Sequence, residues 1–221
     1  IGPFGGVVED WQQIIVLISI LSMAVGWFAA LRQENIKRLM AYSSIGHVGF
    51  ALVGLAAGTK DGVTGILVYL GIYLVMNLGT FAVILCMRRN DRMAEEITDL
   101  AGLAKTKPLM AAITAILMFS MAGIPPLAGF FGKFYVFKAA VDAGLVTLAV
   151  IGLVTSVVSA YYYLRIIKVM YFDEPVEGFD RNGTEMNVIM AVATIVILAF
   201  VFFPNLLMDS AAAAAASLFG M

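Results

Sequence analysis

The sequence predicts an all-α polytopic membrane helix bundle of about six transmembrane helices, one of them discontinuous. Three observations lead there. Of 221 residues, 62% are hydrophobic and 13% charged, with a mean hydropathy of +0.95; a soluble domain is roughly half apolar and a quarter charged. The apolar residues gather in runs of the length, about 20 residues, that a hydrocarbon core of roughly 30 Å requires. One run is interrupted: residues 119–138, FSMAGIPPLAGFFGKFYVFK, hold Gly123, Pro125, Pro126, Gly129 and Gly132 ahead of Lys133.

Six spans follow in order, at 11–31, 39–57, 63–87, 108–137, 145–163 and 187–207, within one transmembrane domain covering 1–221. The third is long enough to tilt, and the fifth continues towards Phe172. At about 1.5 Å per residue an unbroken fourth helix would overshoot the membrane. Two adjacent prolines remove two backbone donors and clash with the preceding turn, so that helix breaks near 123–129. Interrupted backbone stands in a bilayer only where it packs on protein or lines a watery cavity. An alanine-rich stretch, 211–216, predicts a short terminal helix. The beginning, IGPFGGVVEDW, has neither an initiator Met nor a basic signal region. The expectation is a fragment of a longer subunit.

Basic residues orient the bundle. The segments after spans one, three and five hold eleven (Arg32, Lys37, Arg38, Arg88, Arg89, Arg92, Lys105, Lys107, Arg165, Lys168, Arg181). The opposite side holds Lys60 and Lys138, and Lys133 remains inside. Lys and Arg favour the cytoplasmic side, so both ends of this segment face the other way, the periplasm in a bacterium. The two long loops on the basic side, 88–107 and 173–185, mix charge signs and read as solvated connectors, with docking to a partner subunit as the second reading.

Net charge is −1, so no basic surface calls for nucleic acid. One cysteine, Cys86, and one histidine, His47, cannot build a metal cage or iron–sulfur site. No glycine fingerprint or P-loop is present, so no cofactor or metal is expected in this chain.

No Asp or Glu falls inside a span, which leaves basic and hydroxylic groups to do any transport. Lys133 comes first: a charge at that depth costs a few kcal/mol and marks function by default, and a broken helix carrying it matches a transporter's midplane site. The plain alternative is snorkelling, since Lys138 lies only five residues on. His47 sits nine residues past Arg38, about 14 Å into the core. Its imidazole suits proton relay, against a merely packed histidine. Ser43 shares its helix face. Lys37 and Arg38 stand at the mouth of span two, as interfacial anchors or as proton entry. Tyr69, Tyr73 and Asn77 recur every four residues on span three, and Thr155, Ser156 and Ser159 dot span five. They read as interhelical hydrogen bonds or as relay groups. Gly54 and Gly58 form a GxxxG pair for close packing.

The stretch Gly123–Ile124–Pro125–Pro126–Leu127–Ala128–Gly129–Phe130–Phe131–Gly132–Lys133–Phe134–Tyr135 resembles the broken-helix motif of the antiporter-like membrane subunits of respiratory complex I. The stretch Lys37–Arg38–Leu39–Met40–Ala41–Tyr42–Ser43–Ser44–Ile45–Gly46–His47 is similar to the family's other strong signature. Gly132–Lys133–Phe134–Tyr135 and Tyr161–Tyr162–Tyr163–Leu164–Arg165 favour its N-type branch. The resemblance covers essentially the whole chain. It implies the second half of an inverted-repeat fold of fourteen spans: spans nine to fourteen, with Lys133 as the buried lysine of the twelfth and His47 on the tenth.

That resemblance implies a proton-translocating subunit of NADH:quinone oxidoreductase in the bacterial inner membrane or, alternatively, the mitochondrial one. Lys133, His47 and Lys37 would move protons, with Ser43, Tyr73 and Asn77 as relay and Gly123, Pro125, Pro126 and Gly129 shaping the break. Other membrane-arm subunits and lipids would be its partners, while NADH, FMN, Fe–S clusters and quinone belong to other subunits. The family's first repeat carries a glutamate and a lysine that have no counterpart here, so this stretch alone does not complete a pump. The alternatives are an Mrp-type Na⁺/H⁺ antiporter subunit and a non-transporting membrane scaffold.

Overall fold

The computed structural model describes residues 5–219. Its helices are α1 (Val8–Leu31), α2 (Ile36–Ala56), α3 (Lys60–Leu85), the short α4 (Leu103–Thr106), α5 (Pro108–Ala122), α6 (Ala128–Asp142), α7 (Val146–Phe172), α8 (Thr184–Phe202) and α9 (Asn205–Leu218). Five of them (α1, α2, α3, α7 and α8) are long and apolar enough to cross a membrane. The sixth crossing is divided between α5 and α6. The fold is a polytopic helix bundle with one discontinuous helix. Its only sheet among the described residues is a two-residue hairpin, β1 (Arg88–Arg89) and β2 (Arg92–Met93).

Long apolar side chains point outwards, among them Ile14, Leu17, Leu21 and Phe28 on α1 and Val154 and Val157 on α7. A surface of this kind is made for lipid, where no water supports exposed backbone and the helix satisfies its own. Small residues bring the helices together, as expected where lipid tails remove the hydrophobic drive for association. α1 lies along α2; a Cβ on Gly26 would collide with the backbone of Gly46, and one on Gly49 would lie 2.7 Å from Met23 Cγ. Gly54 packs on α3, where a Cβ would lie 3.0 Å from Gly62 O. Gly58 lies past the end of α2 at φ +66°, so the Gly54/Gly58 pair does not make one helix face. α3 packs on α2, α6, α8 and α9, and α7 on α5 and α1.

Local signals set the ends. Asn35 Oδ1 accepts from Arg38 N–H at 3.1 Å and Thr59 Oγ1 from Gly62 N–H at 3.0 Å, capping α2 and α3. α5 stops because Gly123 takes φ +83°, a left-handed conformation open to glycine. Its N–H donates to Ser120 O at 3.0 Å, and Ile124 N–H to Phe119 O at 3.1 Å. Residues 123–127 form the break, with the Pro125–Pro126 bond cis. Gly129 lies inside α6 rather than in the break. Its Cβ would overlap Ser120 O, and its N–H donates to Ser120 Oγ at 3.1 Å. The glycine therefore lets the two half-helices touch.

The basic-side loops are more than solvated connectors. Asn90 and Asp91, both at positive φ, turn the hairpin, and their N–H groups donate to the Asp180 carboxylate at 3.2 and 3.1 Å. Arg89 pairs with Asp99 at 2.7 Å and donates to Glu177 O at 2.8 Å. Lys107 donates to Asp180 O and, at 2.7 Å, to Asn182 Oδ1. Ile36 N–H to Glu95 O and Ile97 N–H to Glu34 O, both 2.8 Å, tie in the α1–α2 loop. Three loops are thereby fastened to one another.

Candidate functional site

Two polar clusters occupy the centre of the bundle. The first is built on the break. α6 carries Lys133, 6% exposed, whose Nζ donates to Ala122 O at 2.8 Å and to Ser156 Oγ on α7 at 3.0 Å. Ala122 is the last residue of α5, so the ammonium caps a helix C-terminus, where unpaired carbonyls carry a partial negative charge of about half an electron. Stopping α5 at Gly123 exposes that carbonyl. Gly123 also makes room: a Cβ there would lie 2.9 Å from Lys133 Cδ. Among the described residues no carboxylate pairs with Lys133. Lys138 turns away to Asp142 at 2.5 Å. An apolar cavity of about 580 Å³, lined in part by Ile124, Phe134, Phe137 and Leu153, reaches Lys133 and Ser156.

The second cluster surrounds His47 on α2, 1% exposed. Its Nδ1 lies 2.6 Å from Tyr69 OH on α3 and its Nε2 3.0 Å from Tyr163 OH on α7. Neutral imidazole donates at one nitrogen and accepts at the other, so both hydroxyls are used. Tyr163 OH is in turn hydrogen-bonded to Ser43 Oγ. Tyr73 stacks on the imidazole at 4.5 Å and donates to Ser44 Oγ at 2.7 Å. Trp27 of α1 stands edge-on at 5.1 Å. The result is a hydrogen-bonded run Tyr69–His47–Tyr163–Ser43 across three helices. Hydroxyl and imidazole groups in such a run can each accept one proton while giving up another.

The expected residues therefore fall into separate places. His47, Ser43 and Tyr73 come together. Lys133 stands apart with Ser156. Asn77 lies one turn beyond Tyr73, its Oδ1 buried without a hydrogen-bond partner among the described residues. Lys37 sits at the loop end of α2, its Nζ 2.7 Å from Glu95 Oε1, while Asn35 Nδ2 donates to Glu95 Oε2 at 2.9 Å. The hydrogen bonds from Lys37 and then Asn35, with the Lys37 charge, hold the Glu95 carboxyl below the usual carboxylate range. Tyr163 and Ser156 acquire their partners from 116 and 23 residues away, and no spacing in the sequence announces them. Among the described residues no group of three or more His, Cys, Asp and Glu stands where it could hold a metal ion.

Comparison with known proteins agrees with this architecture. The family described as NADH:quinone oxidoreductase/Mrp antiporter, transmembrane, matches residues 2–159. NADH-quinone oxidoreductase subunit N of Paramagnetospirillum magneticum is 65% identical over 219 residues, and that of Rhodospirillum rubrum 62% over 218. These alignments cover 99% and 98% of this chain and 45% of each relative; the chain spans less than half the length of the relatives it matches. A chain of respiratory complex I from Thermus thermophilus superposes with a TM-score of 0.79 at 34% identity, covering 89% of this chain and 45% of that one. A chain of the Mrp complex from a Dietzia species shares the fold, with a TM-score of 0.86 at 22% identity over 95% of this chain and 48% of that one. With the whole of the broken-helix region inside the matched residues, the chain belongs to the NADH:quinone oxidoreductase/Mrp antiporter transmembrane family.

Proposed function

We propose that this chain is the second half of a proton-translocating subunit N of NADH:quinone oxidoreductase, working with other membrane-arm subunits of the complex. One observation carries the reading: a buried lysine without a carboxylate partner among the described residues, seated on the carbonyl end of a broken helix. A permanently paired ammonium would be structural. One held by a neutral carbonyl and a hydroxyl can lose its proton without stranding a buried counter-charge. Moving a charge across about 100 mV takes about 2.3 kcal/mol, comparable with one hydrogen bond to a charged group, about 1.5–3 kcal/mol. A modest change in nearby charge is therefore enough to load or discharge Lys133.

In this reading Lys133 holds the translocated proton and the His47 run, with Ser43 and Tyr73, passes it. Asn77 lies on the same face of α3 as Tyr73. Lys37, tied to Glu95, acts at the basic-side mouth. Electron transfer from NADH through FMN and Fe–S clusters to quinone belongs to other subunits; with one cysteine and one histidine, this chain carries no redox centre. The eleven basic residues on one side support an orientation with those loops cytoplasmic and both ends of this segment periplasmic, and the bacterial relatives support a bacterial plasma membrane. Relatives 65% and 62% identical named as subunit N favour complex I over an Mrp antiporter, whose likeness here is the shared family and the fold.

The test is proton pumping in proteoliposomes by the assembled complex carrying Lys133→Met, with quinone reduction followed in the same sample. Pumping should fall with assembly intact. Unchanged pumping and unchanged quinone reduction would leave Lys133 a structural group and move the scaffold reading forward.

A further inference from the structure

Lys133 and His47 are the two proton-holding groups at the core of the bundle, and no hydrogen bond joins them among the described residues. Two hydrogens of the ammonium go to Ala122 O and Ser156 Oγ. Both imidazole nitrogens go to tyrosine hydroxyls. Phe50, fully buried one turn beyond His47 on α2, touches both sides. Its ring face lies 5.2 Å from Lys133 Nζ, within cation–π reach. Its centroid is 6.3 Å from that of His47, at 84°. The cavity that reaches Lys133 includes neither Phe50 nor His47 in its lining.

We propose that Phe50 is a gate: its ring closes the path between Lys133 and the His47 run, and proton transfer between them waits on its displacement. The inference rests on the proton-translocating reading above. A phenyl ring has no exchangeable donor or acceptor, so it cannot relay. It also fills the volume a bridging water would need. Around it stand other rings, Trp27 at 5.2 Å and Phe137 at 5.3 Å, which hold it in place. Phe137 is itself pressed by α7 at Gly152, where a Cβ would collide with it. With the phenyl removed, the space is bounded by the Lys133 ammonium on one side and by the rings of His47 and Tyr69 on the other. The third N–H of the ammonium and the remaining capacity of the Tyr69 hydroxyl on His47 are the two polar partners that let a cavity hold water. A water there connects both groups, and the barrier that forces each transfer to await turnover disappears.

The experiment uses the assembled complex, in proteoliposomes, with its subunit N carrying Phe50→Ala, Phe50→Leu, or Phe50→Ala with Lys133→Met. Proton leak under an imposed potential is measured without NADH, and protons pumped per quinone reduced are measured with it. Phe50→Ala should raise the leak about tenfold and lower the pumping ratio, and Phe50→Leu should do the same more weakly. Adding Lys133→Met should return the leak to the level of the unsubstituted complex, which a merely loosened bundle would not do. If Phe50→Ala fails to assemble, Phe50→Leu decides. Leak and pumping ratio both unchanged overturn the gate, as does a leak that survives Lys133→Met. The single Lys133→Met variant separates the two ideas: if it pumps normally the proton-site reading fails, whereas a pumping defect there with silent Phe50 variants sinks the gate alone.

Discussion

At the scale of single residues, the chemistry rests on how each buried polar atom is satisfied. His47 spends both nitrogens on tyrosines, and Tyr163 spends its hydroxyl on His47 and Ser43. Tyr163→Phe leaves Nε2 without its donor or acceptor, at a cost of about 1–3 kcal/mol for an unsatisfied buried group. Proton pumping by the assembled complex should fall about tenfold while the ring still packs; a pumping rate equal to that of the unsubstituted protein would remove Tyr163 from the relay. The burial of His47 was legible in the sequence from depth alone, because nine residues of helix past Arg38 carry it about 14 Å into the core. Its partners were not, because Tyr69 and Tyr163 are brought to it by the packing of α2 on α3 and α7.

At the scale of elements, the broken helix decides the site. Pro125, Pro126 and Gly123 stop α5, and the stop releases the Ala122 carbonyl that Lys133 binds. Gly129 does something different from what its place in the motif implies: it admits the backbone of Ser120 against the first turn of α6. Gly129→Ala should therefore push the half-helices apart, at a cost of about 1–3 kcal/mol for overpacking. Thermal denaturation of the complex followed through this subunit would show a lowered midpoint; an unchanged midpoint and unchanged pumping would mean that the contact is dispensable. The break was predictable because proline and glycine act on their own backbone. The contact across it was not, because it joins residues nine positions apart through space.

At the scale of the molecule, three loops on the basic side are woven together, and Glu95 is one of the knots. Its carboxyl is held below the ordinary value of about 4.3 by Lys37 and Asn35. A depressed carboxyl stabilises the fold above the unfolded value, and the contribution is lost as pH falls through the lower folded one. The protection of the amides at Ile36 and Ile97, measured against the intrinsic exchange rate at each pH, should fall as the medium is acidified through that range. Glu95→Gln should exchange fast at neutral pH and lose this pH dependence. Identical exchange profiles for the two proteins would show that the loops hold without the carboxylate.

The sequence by itself determined the membrane class, the succession of apolar runs, the interruption at Gly123–Pro126 and the depth of Lys133 and His47. Each of these depends on a residue and its near neighbours: hydropathy, helical rise, and the steric limits of proline and glycine act locally. Tertiary structure alone decided that Lys37 faces Glu95, that His47 is threaded between two tyrosines, that Lys133 rests on Ser156, and that Phe50 packs against both Lys133 and His47. Those arrangements depend on which helix faces meet. Within lipid that choice is made by small residues and polar partners contributed from distant parts of the chain.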